Sequence, residues 1–214
     1  MKIRFTQWPY GARCAFSTSW DDGYTTDMKV LKILEKHHVW GTFFITSKLV
    51  GEPGYLDRQQ IRDIAKKGHE IGSHGHSHQN LCKIDEEQVL SALITSKVDM
   101  EELIGEEIFG FSYPFGYFNK RIKALVKLAN YKYARTTKFE PMNYPPRDWF
   151  EWNPSLMAKG RGGYRKKLIL KYIRFVNTRA FFTKDFPRDW AEIAHYMLIS
   201  AYNRGSHFQL WGHS

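Results

Sequence analysis

Short apolar runs alternate along this chain with longer segments in which apolar residues recur every three or four positions. The first run, CAFSTSW, leads into the acidic pair Asp21 and Asp22, and Met28, Leu31 and Leu34 follow at helical spacing. Further runs of strand character are VWGTFFI, HEIGSH, IFGFSYPFG, YKYART and HFQLWGH. A helix between successive strands predicts parallel strands joined by right-handed crossovers, in either an open sheet or a barrel.

Capping residues mark the starts of several predicted helices. Asp85 with Gln88 is typical of a capping box, Asn119 can cap the next helix, and Asp189 with Glu192 has the same capping-box spacing. The segment 138–163, rich in Pro, Trp and Gly, gives no clear prediction. Two helices are expected after it.

Length and composition fit one folded domain. The chain has 214 residues, of which 43% are hydrophobic and 16% aromatic, enough for a substantial core. Cys14 and Cys82 are too few for a disulfide scaffold or a cysteine-rich zinc site. We therefore expect a single domain over residues 1–214 that folds without disulfides.

The net charge of +10 raises the question of a polyanionic partner. The densest basic segment, residues 160–179, has apolar residues at helical spacing with Lys and Arg between them, which is typical of the solvated face of an amphipathic helix. The chain has no familiar nucleic-acid-binding motif, so no nucleic-acid partner is expected. It also has no visible signal peptide or transmembrane run, which favours a cytoplasmic location.

Three predicted strands end at residues suited to metal binding or proton transfer. Asp21 and Asp22 follow the first strand, His74 and His78 the third, and His213 the last. The carboxyl ends of parallel strands meet at one rim, where such folds bind their ligands. Two imidazoles and a carboxylate suit a divalent ion, most often zinc, with cobalt or nickel as alternatives.

The residues alone leave some roles open. Asp22 is predicted to bind the ion and Asp21 to act as base, because no nearby group would take a proton if both bound the metal. Taken alone, however, two aspartates before a glycine indicate a turn. A helical turn would bring His74 and His78 to one face, whereas an extended chain would align His76 with them.

Four motifs carry a family resemblance. TSWDDG, SHGHSH, FSYPFG and LWGH, in this order and spacing, resemble the successive motifs of the NodB-type polysaccharide deacetylases, carbohydrate esterase family four. The likeness runs from Ala15 to the last residue. It implies a distorted (β/α) barrel and the removal of N-acetyl groups from amino sugars in a glycan or oligosaccharide.

Matched position by position, the resemblance implies Asp21 as catalytic base and His213 as the acid that protonates the departing amine. The metal ligands that it implies are Asp22, His74 and His78. The backbone N–H of Phe115 would help to hold the oxyanion. Tyr113 and Trp211 are candidates to contact the sugar, although aromatic residues in such positions are more often core.

Two departures from the family pattern affect these expectations. Ser112 stands where the family has an arginine that orients the base, so Asp21 is expected to lack a cationic partner. Gly75 stands where many relatives have Ser or Thr, which removes one possible hydrogen bond near the ligands. The family's Asp-Trp pair has two candidates, Asp148-Trp149 and Asp189-Trp190, and neither is favoured.

Three functions follow from these observations. The first is a metal-dependent N-deacetylase acting on glycans. The second is hydrolysis of another amide or a cyclic ureide, which the missing arginine permits. The third is carbohydrate binding without catalysis, against which the retention of a base, two histidine ligands and an acid argues.

Overall fold

The computed structural model describes residues 8–139, 146–158 and 190–214, and within these ranges seven parallel strands form one curled sheet, a half-barrel. The strands are β1 (Ala15–Asp22), β2 (Gly41–Ile45), β3 (Glu70–Ser73), β4 (Gly110–Ser112), β5 (Tyr133–Arg135), β6 (Leu156–Ala158) and β7 (His207–Gly212). Their spatial order is β5-β4-β3-β2-β1-β7-β6. The (β/α) architecture predicted from the alternation and the resemblance is confirmed.

Five described helices accompany the sheet. They are α1 (Asp27–Lys36), α2 (Arg58–Lys66), α3 (Glu86–Ile104), α4 (Lys120–Leu128) and α5 (Trp190–Arg204). The predicted caps of α3 and α4 are confirmed, since Asp85 accepts the Gln88 N–H at 2.8 Å and Asn119 accepts the Ile122 N–H at 2.9 Å. Asp189, the predicted cap of the last helix, lies outside the described residues.

One segment joins the two edges of the sheet. The Trp152 N–H donates to the Ala134 carbonyl beside β5, and the Ser155 N–H donates to the Gln209 carbonyl of β7. The chain from Trp152 to Ala158 thus runs from the β5 edge of the sheet to the β6 edge. Strand β6 lies in the segment 138–163, which is rich in Pro, Trp and Gly and whose sequence pattern predicted no element.

The main core lies between the sheet and helices α1 to α4. Leu31 and Leu34 of α1, Ile61 and Ile64 of α2, and Phe43 of β2 are all buried in it. A second, smaller cluster packs α5 against β6 and β7. Both cores leave the carboxyl ends of the strands free to carry polar side chains.

Two predictions concern parts of the chain beyond this core. The amphipathic helix expected within residues 160–179 lies outside the described residues. Among the helices that the structure does describe, none combines the length and apolar character needed to cross a membrane.

Candidate active site

The functional side chains predicted from the sequence lie around one cleft at the carboxyl ends of the strands. Strand pairing sets Asp22 level with Ile45 and Ile45 level with Ser73, so the residues that follow each strand emerge at a common rim. The cleft has a volume of about 630 Å³. The predicted site residues that line it are Asp21, Asp22, His74, His78, Tyr113, Phe115, Trp211 and His213.

Asp22, His74 and His78 form a compact group with metal-binding chemistry. The Nε2 atoms of His74 and His78 lie 3.4 and 3.3 Å from Oδ1 of Asp22. One ligand atom from each residue falls within 4.8 Å of the other two. Ligands placed tetrahedrally at about 2.0–2.1 Å from a zinc ion are separated by about 3.3 Å, so these spacings suit a single small cation.

The backbone near these ligands adopts conformations that direct the side chains together. Asp22 has a φ of 77° and His78 a φ of 50°, both in the left-handed region that few non-glycine residues adopt. Such conformations cluster at functional sites, where the surrounding structure holds them. They direct the Asp22 carboxylate and the His78 imidazole toward His74.

The loop after β3 adopts neither of the two conformations that the sequence left open. Residues 74–78 contain a bend at His76 and Ser77 and no helix, and Gly75 has a φ of 78°. Two left-handed residues, Gly75 and His78, turn the loop back, and His74 and His78 come together without a helical turn. Gly75 also has a conformational reason to be glycine here, since a side chain at this φ would be strained.

The hydrogen bonds of the site leave the metal-facing atoms free. The Nδ1 atom of His74 lies 2.8 Å from the Ser112 carbonyl, so Nδ1–H donates to it and Nε2 keeps its lone pair. Oδ1 of Asp22 is buried and has no hydrogen-bond donor among the described residues. When both imidazoles are neutral and their Nε2 atoms carry no hydrogen, neither can donate a hydrogen bond to Oδ1 of Asp22. A cation between them would accept lone pairs from all three atoms. The donor set therefore fits a divalent metal ion.

Electrostatics favour an ionised Asp22 and a neutral His78. Burial alone would raise the pKa of Asp22, but the neighbouring His74, His213 and His78 outweigh burial and lower that pKa below its usual value. Burial lowers the pKa of His78, and the adjacent His74 lowers it further. Both shifts favour the protonation states that a metal ion requires of its ligands.

Asp21 lines the same cleft and pairs with Arg135. Nη2 of Arg135 contacts both carboxylate oxygens of Asp21, and the two side chains are 1% and 3% exposed. The same Nη2 lies 2.6 Å from Oγ of Ser112. The expectation that Asp21 lacks a cationic partner was therefore wrong: β5 supplies the arginine that β4 lacks.

His213 and Phe115 stand on the open side of the cleft. Nε2 of His213 lies 3.6 Å from Oδ2 of Asp22, and its side chain is 39% exposed. Phe115 has a φ of 58° within the turn Pro114–Gly116, and its ring packs edge-on against His78 with centroids 4.5 Å apart. The ring is largely exposed.

Tyr113 and Trp211 line the cleft, but both side chains are almost entirely buried. Tyr113 is 1% exposed, and its hydroxyl donates to the Phe150 carbonyl at 3.0 Å. Trp211 is 4% exposed and lies over the Arg135 guanidinium, 4.7 Å from ring centroid to Cζ. Both therefore shape the floor of the cleft, and neither presents an open ring face for stacking.

The remaining candidates from the sequence lie elsewhere. His76 turns away from the ligands, and its Nδ1 lies 2.9 Å from Oγ of Ser47, whose hydroxyl donates to Asp99 at 2.6 Å. Asp148 caps the turn Trp149–Glu151 and pairs with Lys123, so it does not contribute to the cleft. The second Asp-Trp candidate includes Asp189, which is outside the described residues.

Sequence reasoning missed two charged residues at the site, Arg135 and Asp27. Arg135 gave no signal because it is 114 residues from Asp21 and ends an ordinary short strand. Asp27 lies in the first turn of α1, where an aspartate is common and exposed, yet its side chain is fully buried. Burial raises the pKa of Asp27 to about 7, the nearby Ser214 hydroxyl opposes that rise, and the charges of Asp21 and Asp22 add to it.

The fold and the cleft together define a parallel (β/α) half-barrel with a candidate metal centre and a paired carboxylate at its carboxyl rim. The family model described as polysaccharide deacetylase matches residues 7–134, more than half of the chain. The protein belongs to the polysaccharide deacetylase family.

Curated relatives agree with this assignment. The chain is 32% identical over 99 residues to a peptidoglycan-N-acetylglucosamine deacetylase of Bacillus cereus, covering 45% of this chain and 34% of that protein. It is 32% identical over 92 residues to the peptidoglycan-N-acetylmuramic acid deacetylase PdaA of Bacillus subtilis, covering 43% and 33%. The matches span less than half the length of the first curated relatives.

A structural comparison supports the fold. The Streptococcus pyogenes deacetylase PplD, solved in complex with acetate, superimposes with a TM-score of 0.60 at 19% identity, covering 63% of this chain and 61% of that one. A Mycobacterium smegmatis protein assigned to the polysaccharide deacetylases covers 97% of this chain and 79% of its own, with a TM-score of 0.65 at 19% identity.

Proposed function

We propose that this protein is a metal-dependent hydrolase that removes N-acetyl groups from amino sugars in a glycan or oligosaccharide. The observation that carries the proposal is the convergence of Asp22, His74 and His78 within 4.8 Å, beside a separately paired Asp21 and an exposed His213. Family membership supports the reaction class, and the peptidoglycan deacetylases among the relatives support the substrate class.

Asp22 Oδ1, His74 Nε2 and His78 Nε2 are the atoms that would hold the ion. Two imidazoles and one carboxylate favour zinc, and cobalt or nickel would suit the same donors. When bound, such an ion polarises the acetamide carbonyl and lowers the pKa of a water molecule from 15.7 to about 7.

The protein side chains would then move the protons. Asp21 lines the cleft and has lone pairs besides those facing Arg135, so it can accept a proton from the attacking water. The water oxygen adds to the carbonyl carbon, and the Phe115 N–H would donate to the developing oxyanion. His213 would give a proton to the nitrogen as the C–N bond breaks, which releases acetate and a free amine.

The alternative of a cyclic ureide substrate loses its motivation. It was based on the absence of a cationic partner for Asp21, and Arg135 is such a partner. Carbohydrate binding without turnover remains an outcome that the following experiment separates.

The experiment is acetate release from N-acetylglucosamine oligomers by the metal-depleted protein, with and without added zinc. We expect release only with zinc, and a loss of about 100-fold or more in Asp21→Asn, since general base catalysis contributes about 10²–10⁴-fold. Asp57→Asn is the matched control, because Asp57 caps α2 and asparagine is an equal cap. Sugar binding without acetate release, or equal release by Asp21→Asn, would contradict the proposal.

A further inference from the structure

The loop 74–78 carries two of the three candidate metal ligands and holds them in different ways. His74 is fixed by its own hydrogen bonds, since its backbone N–H donates to the Ile45 carbonyl at 2.8 Å and its Nδ1 lies 2.8 Å from the Ser112 carbonyl. The side chain of His78 is 25% exposed, and its φ of 50° is a conformation that the surrounding structure must support. The position of His78 therefore depends on what holds the loop in place.

Three polar side chains, Ser47, His76 and Asp99, form a cluster at the middle of this loop, which we call the Ser47 cluster. Ser47 begins the turn Ser47–Leu49 after β2, His76 lies in the loop after β3, and Asp99 lies on α3. Oγ of Ser47 lies 2.9 Å from Nδ1 of His76 and donates to Oδ2 of Asp99 at 2.6 Å. Three segments of the chain thus meet at one hydroxyl.

Backbone hydrogen bonds join the same two loops. The Ser47 N–H donates to the Gly75 carbonyl at 3.2 Å, and the Lys48 N–H donates to the His76 carbonyl at 2.9 Å. Because these bonds do not involve side chains, they can persist when a side chain of the cluster is changed. Removal of the Ser47 hydroxyl should therefore loosen the loop without releasing it.

The hydroxyl of Ser47, rather than the charge pair beside it, is the part of the cluster that fixes His76. Nδ1 of His76 and Oδ2 of Asp99 are 3.4 Å apart, but their side chains are 34% and 40% exposed, and ion pairs at such exposure contribute little. Ser47 is 8% exposed. Since its hydroxyl donates to Asp99, its lone pairs accept the Nδ1–H of His76. A buried hydroxyl that bridges two partners in this way sets the direction of the His76 side chain.

We propose that Ser47 is a positioning residue for the metal centre: it holds His76 and thereby keeps the loop after β3 in the conformation that brings His78 to the other two ligands. The inference rests on the proposed function, because it takes Asp22, His74 and His78 as the ligands. His76 then influences metal binding through the loop and not as a ligand.

The first test is the zinc affinity of Ser47→Ala, measured by competition with a chromophoric chelator. Loss of a hydrogen-bond partner of a ligand lowers metal affinity by about 10–100-fold, and Ser47 acts one step further away, so we expect a fall of about 10-fold. Ser17→Ala is the matched control, because Oγ of Ser17 lies 2.9 Å from Nε2 of His207 at the amino end of the sheet. It also loses a contact between a serine and a histidine, and it should bind zinc like the wild type.

Two variants of His76 separate positioning from direct ligation. His76→Ala should lose zinc affinity to the same extent as Ser47→Ala, whereas the amide of His76→Asn can still donate to Ser47 and should restore zinc binding. If His76 were itself a ligand, both variants would lose more than about 100-fold, and Ser47→Ala, which frees Nδ1, would lose nothing. That pattern would overturn the inference. If Ser47→Ala does not fold, the two His76 variants decide the question.

A double-mutant cycle identifies the ligand through which Ser47 acts. When His78 is already replaced in His78→Ala, adding Ser47→Ala should cause no further loss of zinc affinity, because the loop no longer carries that ligand. A general structural role would lower zinc affinity by the same factor in both backgrounds, and this result would contradict the proposal. So would an unchanged zinc affinity in Ser47→Ala or an equal loss in Ser17→Ala. A wild-type protein that binds zinc but releases no acetate would contradict the proposed function alone, since zinc affinity is measured without turnover.

Discussion

The histidines at the two ends of the sheet differ in what their ring nitrogens face. At the amino ends of the strands, Nδ1 of His69 accepts the Gly41 N–H at 3.1 Å, and Nε2 of His207 lies 2.9 Å from Ser17 Oγ. At the carboxyl ends, Nε2 of His74 and of His78 both face Asp22. The ring nitrogens of His69 and His207 thus each face a backbone N–H or a hydroxyl, whereas Nε2 of His74 and Nε2 of His78 face the same carboxylate oxygen.

This difference shows why counting histidines is a poor guide to a metal site. Four histidines lie within residues 69–78, but His69 is at the amino end of β3 and His76 turns to Ser47 and Asp99. Position relative to the parallel sheet separates His69 from the ligand candidates, and the direction of the side chain separates His76 from them. The following predictions test that separation.

The largest effect is expected on metal binding. In His74→Ala the candidate centre loses one of its three ligands. Removing a group that only hydrogen-bonds to a ligand lowers metal affinity by up to about 100-fold, so losing the ligand itself should lower zinc affinity by more than that. Equilibrium dialysis with metal analysis measures it. His207→Gln, which can keep the contact to Ser17, should bind zinc like the wild type. Equal zinc loss in both variants would remove the distinction between the two ends.

A smaller effect is expected on the pH dependence of stability through Asp27. Because its pKa is raised from 3.8 to about 7, this group contributes stability that is fully present below about pH 4 and is lost as pH rises through about 7. The difference corresponds to about 4 kcal/mol. Asp27→Asn should therefore gain stability relative to the wild type as pH rises from 4 to 8.

The measurement for Asp27 is the free energy of unfolding in urea, on metal-depleted protein at several pH values. The difference between Asp27→Asn and the wild type carries the test, since other groups titrate in both proteins. Asp57→Asn serves again as the control, because it makes the same substitution at an exposed helix cap. A difference that does not grow between pH 4 and 8 would contradict the burial argument for Asp27.

The smallest effect is expected on the pH dependence of stability through His207, at the amino end of β7. Its sign is opposite to that of Asp27, because His207 loses its contribution to stability as pH falls. Burial lowers the pKa of His207 to about 4, so its contribution is fully present above pH 6.5 and is lost as pH falls toward 4. The difference from 6.5 corresponds to about 3 kcal/mol. His207→Gln should lose less stability than the wild type between pH 6.5 and 4 in the same urea measurements. Parallel curves for the two proteins would refute this role of His207.

The sequence predicted the parts of the fold that depend on local signals. Periodic apolar positions predicted α1, and the side chains of Asp85 and Asn119 cap α3 and α4 as expected. The candidate ligands were found because they directly follow strands. The resemblance to a known family added the distorted barrel, which the alternation alone left open.

Features that depend on distant contacts were not predictable in this way. The Asp21–Arg135 pair joins β1 to β5, and no local pattern connects them. The conformation of the loop after β3 depends on left-handed backbone at Gly75 and His78, and a histidine gives no sequence signal for that conformation. The burial of Asp27 likewise depends on what packs over it.

The most direct test of the central claim is a zinc-soaked crystal examined by anomalous diffraction at the zinc edge. The account predicts one site bonded at about 2.0–2.2 Å to Asp22 Oδ1, His74 Nε2 and His78 Nε2, with Asp21 still paired to Arg135. Zinc bound instead by His76 and Asp99, zinc bound through Asp21, or no zinc in this cleft would contradict it.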